Sequence, residues 1–364
     1  LDDNKKKILK DTTFISTVYN EEGTVNRFLE SLQSQTVLPA EIIIVDGGSR
    51  DRTFSLMERF FQKWAAEKTA GPRVYVDGVS HRADPAGIRV ELLKKEGAGI
   101  SLGRNTAIGK ASGTFISVSD AGCILDPGWL EEINREMKEE PLAVNGGMNY
   151  SACKSFLQKL AALCIMPGVN EIRQENFMPS SRNICFRKSQ WQSVGGYPQE
   201  LDYGEDMKFD FNLKKAGYEL RFRPGAAVYW EMRQDLSGIF RQFFRYAKGD
   251  ALGRMYPLRH IIRFLSGSVF VAVFLAGILV SPWIFFTLVI LAVAYCFRPY
   301  YRLLVKWAGN EACLPWGAAK LPALIFIPLL LVYIDTAKVF GYLYGRARKQ
   351  PGQPFKNMPD GKDH

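Results

Sequence analysis

Hydrophobic positions follow three regimes along this chain. In the first, short β-branched or continuous apolar runs alternate with segments whose apolar residues recur every three or four positions. Thr13 to Val18 precedes Val25, Phe28, Leu29 and Leu32 at helical spacing, and Glu41 to Val45, fully apolar from Ile42, precedes another helical stretch. Arg73 to Val79, Ile88 to Leu93 and Thr114 to Val118 continue the strand series, one of the first two as an inserted edge strand. Continuous apolar strands alternating with helices predict an α/β domain whose mostly parallel central sheet is covered by helices on both faces. In such sheets ligands sit beyond the carboxyl ends of the strands, where Asn20, Asp46 and Gly47 fall.

The second regime is an amphipathic segment after Leu236. Ile239, Phe240, Phe243, Phe244 and Ala247 form one apolar stripe while Arg241, Arg245 and Lys248 lie off it. Such a helix lies on a membrane surface or packs against the α/β domain. The third regime is long apolar runs. Phe264 to Val280 and Pro282 to Phe297 hold no charge, too much for one crossing of about 20 residues and suited to a hairpin around Ser281-Pro282. Leu321 to Tyr344 is interrupted by Pro322, Pro328, Asp335 and Lys338, which leaves the count of crossings at two or three. An apolar soluble core is the competing reading of these runs.

Charge agrees with this division. Of the net +10, 13 basic and 4 acidic residues lie from Ala251 onward, so the excess sits with the apolar runs and points to a cytoplasmic membrane face, not to nucleic acid. Arg298, Arg302, Lys306 and Lys320 mark the segment after the hairpin as cytoplasmic, as does the basic tail from Arg346. The predicted organisation is a cytosolic domain over residues 1–235, an amphipathic region over 236–263, a membrane region over 264–345 and a basic tail over 346–364. Leu1 to Asp11 is charged, so no signal peptide is expected there. Six cysteines without CxxC pairing are expected to be reduced thiols, and with only His81, His260 and His364 a Ser-His-Asp or Cys-His mechanism has few candidates.

Chemistry concentrates at Tyr203-Gly204-Glu205-Asp206, at the mouth of a predicted helix over Met207 to Tyr218. Neighbouring side chains on a helix diverge by about 100°, so one carboxylate can serve as general base while the other orients it; the alternative is a helix cap. Gly97 to Asn105 brings a glycine-rich turn into a helix, a start that suits a diphosphate. Asp120, beyond the strand ending at Val118, is either a turn residue or a ligand for a divalent cation.

Taken in order, Thr17 to Glu22, Val45 to Ser49 with Asp51, Gly103-Arg104-Asn105 and Ser119 to Gly122 resemble the signature blocks of family 2 inverting glycosyltransferases and their GT-A domain. Pro179 to Asn183, Gly195 to Pro198, Gly204-Glu205-Asp206 and Gln242 to Tyr246 are similar to that family's acceptor half, so the likeness covers about residues 13 to 250. The resemblance implies Asn20, Glu22, Asp46, Arg104 and Asp120 at the donor, with Asp46 on the base. It implies Asp206 as catalytic base beside Glu205, and Arg182, Gln242, Arg245, Tyr246 and Lys248 at the acceptor or diphosphate.

The implied cofactor is Mg²⁺ or Mn²⁺ on Asp120, although Gly122 stands where the family's DxD motif has its last Asp. The implied partners are a nucleotide-sugar donor and a lipid-linked or glycan acceptor at the cytoplasmic membrane. Tyr246, where processive synthases have Trp, weakens a polymerising reading without removing it. Gly122 also prompts a non-catalytic sugar-binding scaffold, against which Asp46 and Glu205-Asp206 speak.

Overall fold

A computed structural model describes residues 6–67, 73–76, 79–80, 87–304 and 319–348. Lys306, Cys313, His81 and the tail from Lys349 lie outside the described residues. Strand β1 (Lys7–Val18) leads into helix α1 (Val25–Gln33), then β2 (Val37–Asp46), α2 (Thr53–Glu67), β3 (Arg73–Val76), β4 (Val79–Ser80), β5 (Arg89–Lys94) and α3 (Ile100–Lys110). The chain continues through β6 (Phe115–Val118), β7 (Cys123–Leu125), α4 (Trp129–Ile133), β8 (Ala143–Ala152), α5 (Phe156–Ile165), β9 (Ile184–Arg187), α6 (Lys188–Ser193), α7 (Glu205–Lys215) and β10 (Glu219–Glu231).

These strands form one sheet in the order β4-β3-β5-β2-β1-β6-β9-β8-β10-β7. Strands β3, β5, β2, β1 and β6 run parallel, as the continuous apolar runs require, whereas β9 pairs antiparallel with both β6 and β8. The sheet is therefore mixed: β8 and β10 are again parallel, and the remaining antiparallel pairs are β3 with β4 and β10 with β7 at the two edges. Alternate residues of β1 and β2 face opposite layers: Phe14, Ile42 and Ile44 pack with Phe28, Phe61 and Trp129, while Ile15, Ile43 and Val45 pack with Ala107, Phe186 and Phe209. Val18 pairs with Asp46, which brings the loops after β1 and β2 to the same edge of the sheet.

Beyond the sheet lie α8 (Leu236–Leu252), α9 (Pro257–Leu279), α10 (Phe285–Tyr295), α11 (Phe297–Leu304) and α12 (Lys320–Ala347). The apolar stripe of α8 faces protein: Ile239 and Phe243 are buried with Leu160 and Leu163 of α5 and Ile327, Leu330 and Ile334 of α12. The stripe is thus covered by α5 of the sheet domain and by the apolar helix α12. Contact with α12 is backbone to backbone, since a Cβ at Gly341 would stand 2.1 Å from the Phe244 carbonyl oxygen. The next helix begins at Pro257, seven residues before the uncharged run, because Arg259, His260 and Arg263 reach inward to carboxylates of α8 and α12.

The hairpin turns at a 3-10 segment, Pro282–Ile284, and α10 meets α11 at a bend of 62°. From α11, Arg302 returns to the catalytic domain, donating to Glu171 at 2.8 and 3.2 Å and to the Leu163 carbonyl at 2.8 Å. Among the described residues α9 and α12 are each long and apolar enough to cross a membrane, and the bent pair makes a third if it is one span. Their outer faces carry exposed Leu265, Phe274, Ile278, Ile325 and Leu329, an apolar surface that suits lipid.

Candidate active site

The loops at the carboxyl edge of β1, β2 and β6 surround a cavity of about 1710 Å³ that reaches from Gly47 to α8, and a smaller one of about 240 Å³ beside it. Both are bounded by Tyr19, Gly47, Gly99 and Asp120. Helix α3 starts here at Gly99 with no side-chain cap, so its first amides remain available to an anion. The Ser101 hydroxyl, 3% exposed and without a partner, lines the larger cavity.

Arg104 is the centre of the site. One turn into α3 and wholly buried, it donates from one terminal nitrogen to Asp120 at 2.8 Å and from the other to Glu205 at 2.9 Å. Burial opposes its charge, but Asp120 and then Glu205 more than offset that, so the guanidinium is held protonated. It thereby joins the loop after β6 to the start of α7, parts of the chain 85 residues apart that the sequence does not pair. Arg182 approaches the other oxygen of Asp120 at 4.0 Å and lies over the Trp230 ring at 4.4 Å.

Glu205 and Asp206 open α7 behind Gly204, whose φ of 77° suits glycine and turns the helix mouth into the cavity. Burial, and then the neighbouring Asp206 charge, push the Glu205 carboxyl up to about 7 against the pull of Arg104. Asp206 is half-buried, and one of its oxygens accepts from the Met207 amide at 2.8 Å. One turn further, Asp210 is buried with neither oxygen partnered; burial first and Asp206 second hold it well above the carboxylate range.

Of the residues expected at the donor, Arg104 and Asp120 meet in the cavity. Asp46 is buried, with one oxygen accepting from Gly48 and Ser49 amides at 2.7 and 2.6 Å and the other unpartnered. Asn20 and Glu22 do not line either cavity: Asn20 accepts from the Arg50 amide, and Glu22 pairs with Arg52 at 3.2 Å on the surface. Glu21, between them, lines the smaller cavity instead.

On the acceptor side Arg182, Gln242, Arg245 and Tyr246 all line the larger cavity, Gln242 donating to the Tyr246 hydroxyl at 3.0 Å and Arg245 lying over the Tyr203 ring at 5.3 Å. Lys248 does not line it; its turn of α8 faces Gly345 of α12. Glu21 and Tyr203 lie inside motifs singled out in the sequence but were given no role there, and Trp230 and Asn149 were not singled out at all. The aromatic-basic run Tyr229 to Arg233 was the available signal for Trp230. Among the described residues no three His, Cys, Asp or Glu side chains are grouped to hold a metal ion by themselves. Four described cysteines, Cys123, Cys164, Cys185 and Cys296, are free, whereas Cys153 is disulfide-bonded and departs from the expectation of reduced thiols.

The family model for glycosyl transferase family 2 matches residues 13–189, and that for glycosyl transferase family group 2 matches residues 115–334. Poly-beta-1,6-N-acetyl-D-glucosamine synthase of Staphylococcus aureus strain MSSA476 is 24% identical over 249 residues, 66% of this chain and 55% of the synthase. The chain thus spans about half the length of the curated synthases it matches. Glycosyltransferase AglE of Haloferax volcanii is 24% identical over 65% of this chain and 71% of its own. Among solved structures, mannosyltransferase PcManGT from Pyrobaculum calidifontis in complex with GDP-Man and Mn2+ aligns with a TM-score of 0.53 at 16% identity, covering 93% of this chain and 86% of that one. That likeness shows a shared GT-A fold.

Proposed function

Because the chain belongs to glycosyl transferase family group 2, whose model matches residues 115–334, we propose that it is an inverting glycosyltransferase that moves a sugar from a nucleotide-sugar donor to a lipid-linked or glycan acceptor presented at a membrane. The observation that carries this reading is the Arg104 bridge, which sets Asp120 and Glu205, the neighbour of Asp206, on one guanidinium in a single cavity. Inverting displacement needs charge stabilisation at the leaving diphosphate and a base at the acceptor hydroxyl, on opposite sides of the anomeric carbon.

In this reading the diphosphate lies at the start of α3, with Ser101 and Arg182 beside it, and Asp46, which lines neither cavity, acts on the nucleotide base through the Gly47 to Ser49 loop whose amides it holds. Asp206, the more accessible of the two acids, takes the proton of the acceptor hydroxyl. Glu205, locked by Arg104, orients it. Gln242, Arg245, Tyr246 and Trp230 form the acceptor wall, where aromatic faces suit sugar rings.

Residues present fit a divalent cation of the Mg²⁺ or Mn²⁺ kind. Such ions are held by one or two carboxylates together with substrate phosphates and need no all-protein cage; Asp120 lines both cavities and would hold one. When bound, it would neutralise charge developing on the departing diphosphate. Apolar α9 and α12 support anchoring in a membrane, and the basic excess of the last third supports a cytoplasmic membrane with the catalytic domain on the cytosolic side.

A processive synthase is the second reading, favoured by the 24% identity to the staphylococcal synthase. Purified full-length protein incubated with a panel of UDP- and GDP-sugars tests the proposal. Release of nucleotide from one of them is expected, and the size of the product separates single transfer from polymerisation. Folded protein that neither binds nor consumes any donor in the panel overturns the reading.

A further inference from the structure

The chain lacks a side chain at Gly122, yet the space beside it is bounded by a carboxylate. A Cβ placed on Gly122 would meet the two Glu21 carboxylate oxygens at 3.7 and 3.8 Å and its Cδ at 4.0 Å, and these are its three nearest neighbours. Glu21, Asp120 and Gly122 line the same 240 Å³ cavity, together with Gly47 and Gly99 at the uncapped start of α3. The side chain of residue 21 thus ends where an acidic side chain from residue 122 would begin.

Glu21 is held in that position by its own loop. Its amide donates to the Thr53 hydroxyl at 2.7 Å, and its carbonyl accepts from the Thr24 and Val25 amides at 3.0 and 2.9 Å, which fixes the residue at the entrance to α1. Its carboxylate accepts from the Thr24 hydroxyl. Among the described residues no Lys, Arg or His forms an ion pair with it, in contrast to Asp120, which already has Arg104 and Arg182. A half-buried carboxylate facing a cavity without a cation is electrostatically incomplete, and a cation on the far side of a diphosphate would complete it.

We propose that Glu21 supplies, from the loop after β1, the metal-ligating carboxylate that Gly122 lacks, so that a divalent cation on the donor diphosphate is held between Glu21 and Asp120. The inference rests on the nucleotide-sugar reading above. Two carboxylates on separate loops, with phosphate oxygens completing the shell, form the donor set that Mg²⁺ and Mn²⁺ accept. The arrangement also makes a reciprocal demand: a carboxylate at position 122 should substitute for one at position 21. A Cβ at Gly122 would make only ordinary van der Waals contacts, at 3.7 Å and more, all of them with Glu21.

The experiment is Mn²⁺ titration, followed by electron paramagnetic resonance of the free ion, on full-length protein with saturating UDP and, separately, GDP. Nucleotide affinity is measured in parallel by calorimetry in EDTA. Glu21→Gln should weaken Mn²⁺ binding by roughly tenfold or more and leave nucleotide affinity in EDTA unchanged. The double variant Glu21→Gln with Gly122→Asp should regain most of the lost Mn²⁺ affinity. Unchanged Mn²⁺ binding in Glu21→Gln overturns the proposal. So does equal weakening with and without EDTA, which would make Glu21 a direct nucleotide contact, or a folded double variant that regains nothing. Wild-type protein that binds neither nucleotide, with or without Mn²⁺, overturns the donor reading itself and the metal site with it.

Discussion

Replacing Glu205 by Gln should make the protein more resistant to unfolding at pH 8 than at pH 4.5, each relative to wild type. The carboxyl is 6% exposed, beside Asp206, and pushed from its ordinary 4.5 up to about 7. Between those two values the folded state keeps a proton that the unfolded state has lost. Stability contributed by this group is therefore greatest below pH 4.5 and falls as pH rises to 7. At 1.36 kcal/mol per pH unit the fall is about 3 kcal/mol, after the attraction of Arg104 has already been counted. Glutamine keeps the shape and cannot ionise, so the variant lacks this fall. The melting-temperature difference between variant and wild type should grow by on the order of 6–12 °C from pH 4.5 to pH 8. Thermal scans of detergent-solubilised protein, followed by tryptophan fluorescence at several pH values, measure it. A difference that stays flat across that range would mean that Glu205 is ionised throughout and stabilised by Arg104, which would refute the reasoning.

Three further outcomes follow from the site and the helices. Asp206→Asn should lower transfer by about 10²–10⁴-fold with nucleotide affinity near wild type; transfer within tenfold of wild type in a donor-consumption assay would remove Asp206 from the role of base. Gly341→Val places methyl groups against the Phe244 carbonyl, 2.1 Å from the position of the Cβ alone, and should cost about 1–3 kcal/mol or more. A thermal scan reads that loss, and transfer should fall with it because α8 carries Gln242 and Tyr246. Carbonate and high-salt washing of membranes should leave the full chain in the pellet, whereas truncation after Arg254 should release most of it; release of the full chain would show that α9 and α12 are not inserted.

Much of the fold was legible because burial on two faces leaves a continuous apolar trace. Ile42 to Val45 is such a trace, and the strand lies within a residue of it at its carboxyl end, as Asp46 completes β2. At the amino end β1 starts at Lys7, well before Thr13, because Ile8 and Leu9 pack against the core and pair with Leu38 and Pro39 across a register shift, a short apolar trace that the surrounding Lys and Asp residues hide. Strand β8 left no trace of that kind. Its Gly146 and Gly147 are small because Pro179 and the Ala226 carbonyl press on the strand, at 2.4 and 2.0 Å from the positions of the absent Cβ atoms. Within the site, Glu21 and Glu22 part after a turn that the sequence pattern does not show. Asn20 takes φ of 54°, a left-handed conformation, and beyond it Glu21 lines the cavity while Glu22 pairs with Arg52. Residue type at 21 and 22 is the same, so nothing in the pattern distinguishes them. Arg104 was read as a donor contact, but its bridge to Glu205 spans 101 residues and arises only when α3 and α7 are brought together.

Arg302 gives the catalytic body a second attachment to the apolar helices. The first is the chain itself, from α8 into α9; the second is the return of α11 onto Glu171 and Leu163; the third is the seating of Gly341 and Gly345 on α8. A domain hung from one linker could tilt and swing above a bilayer and sample acceptors at many heights. One gripped at three places works at a single altitude. On the proposed reading of an acceptor presented at the membrane, the reacting hydroxyl must be delivered to that level, so the reach of the acceptor's own stem becomes a ruler by which substrates are sorted.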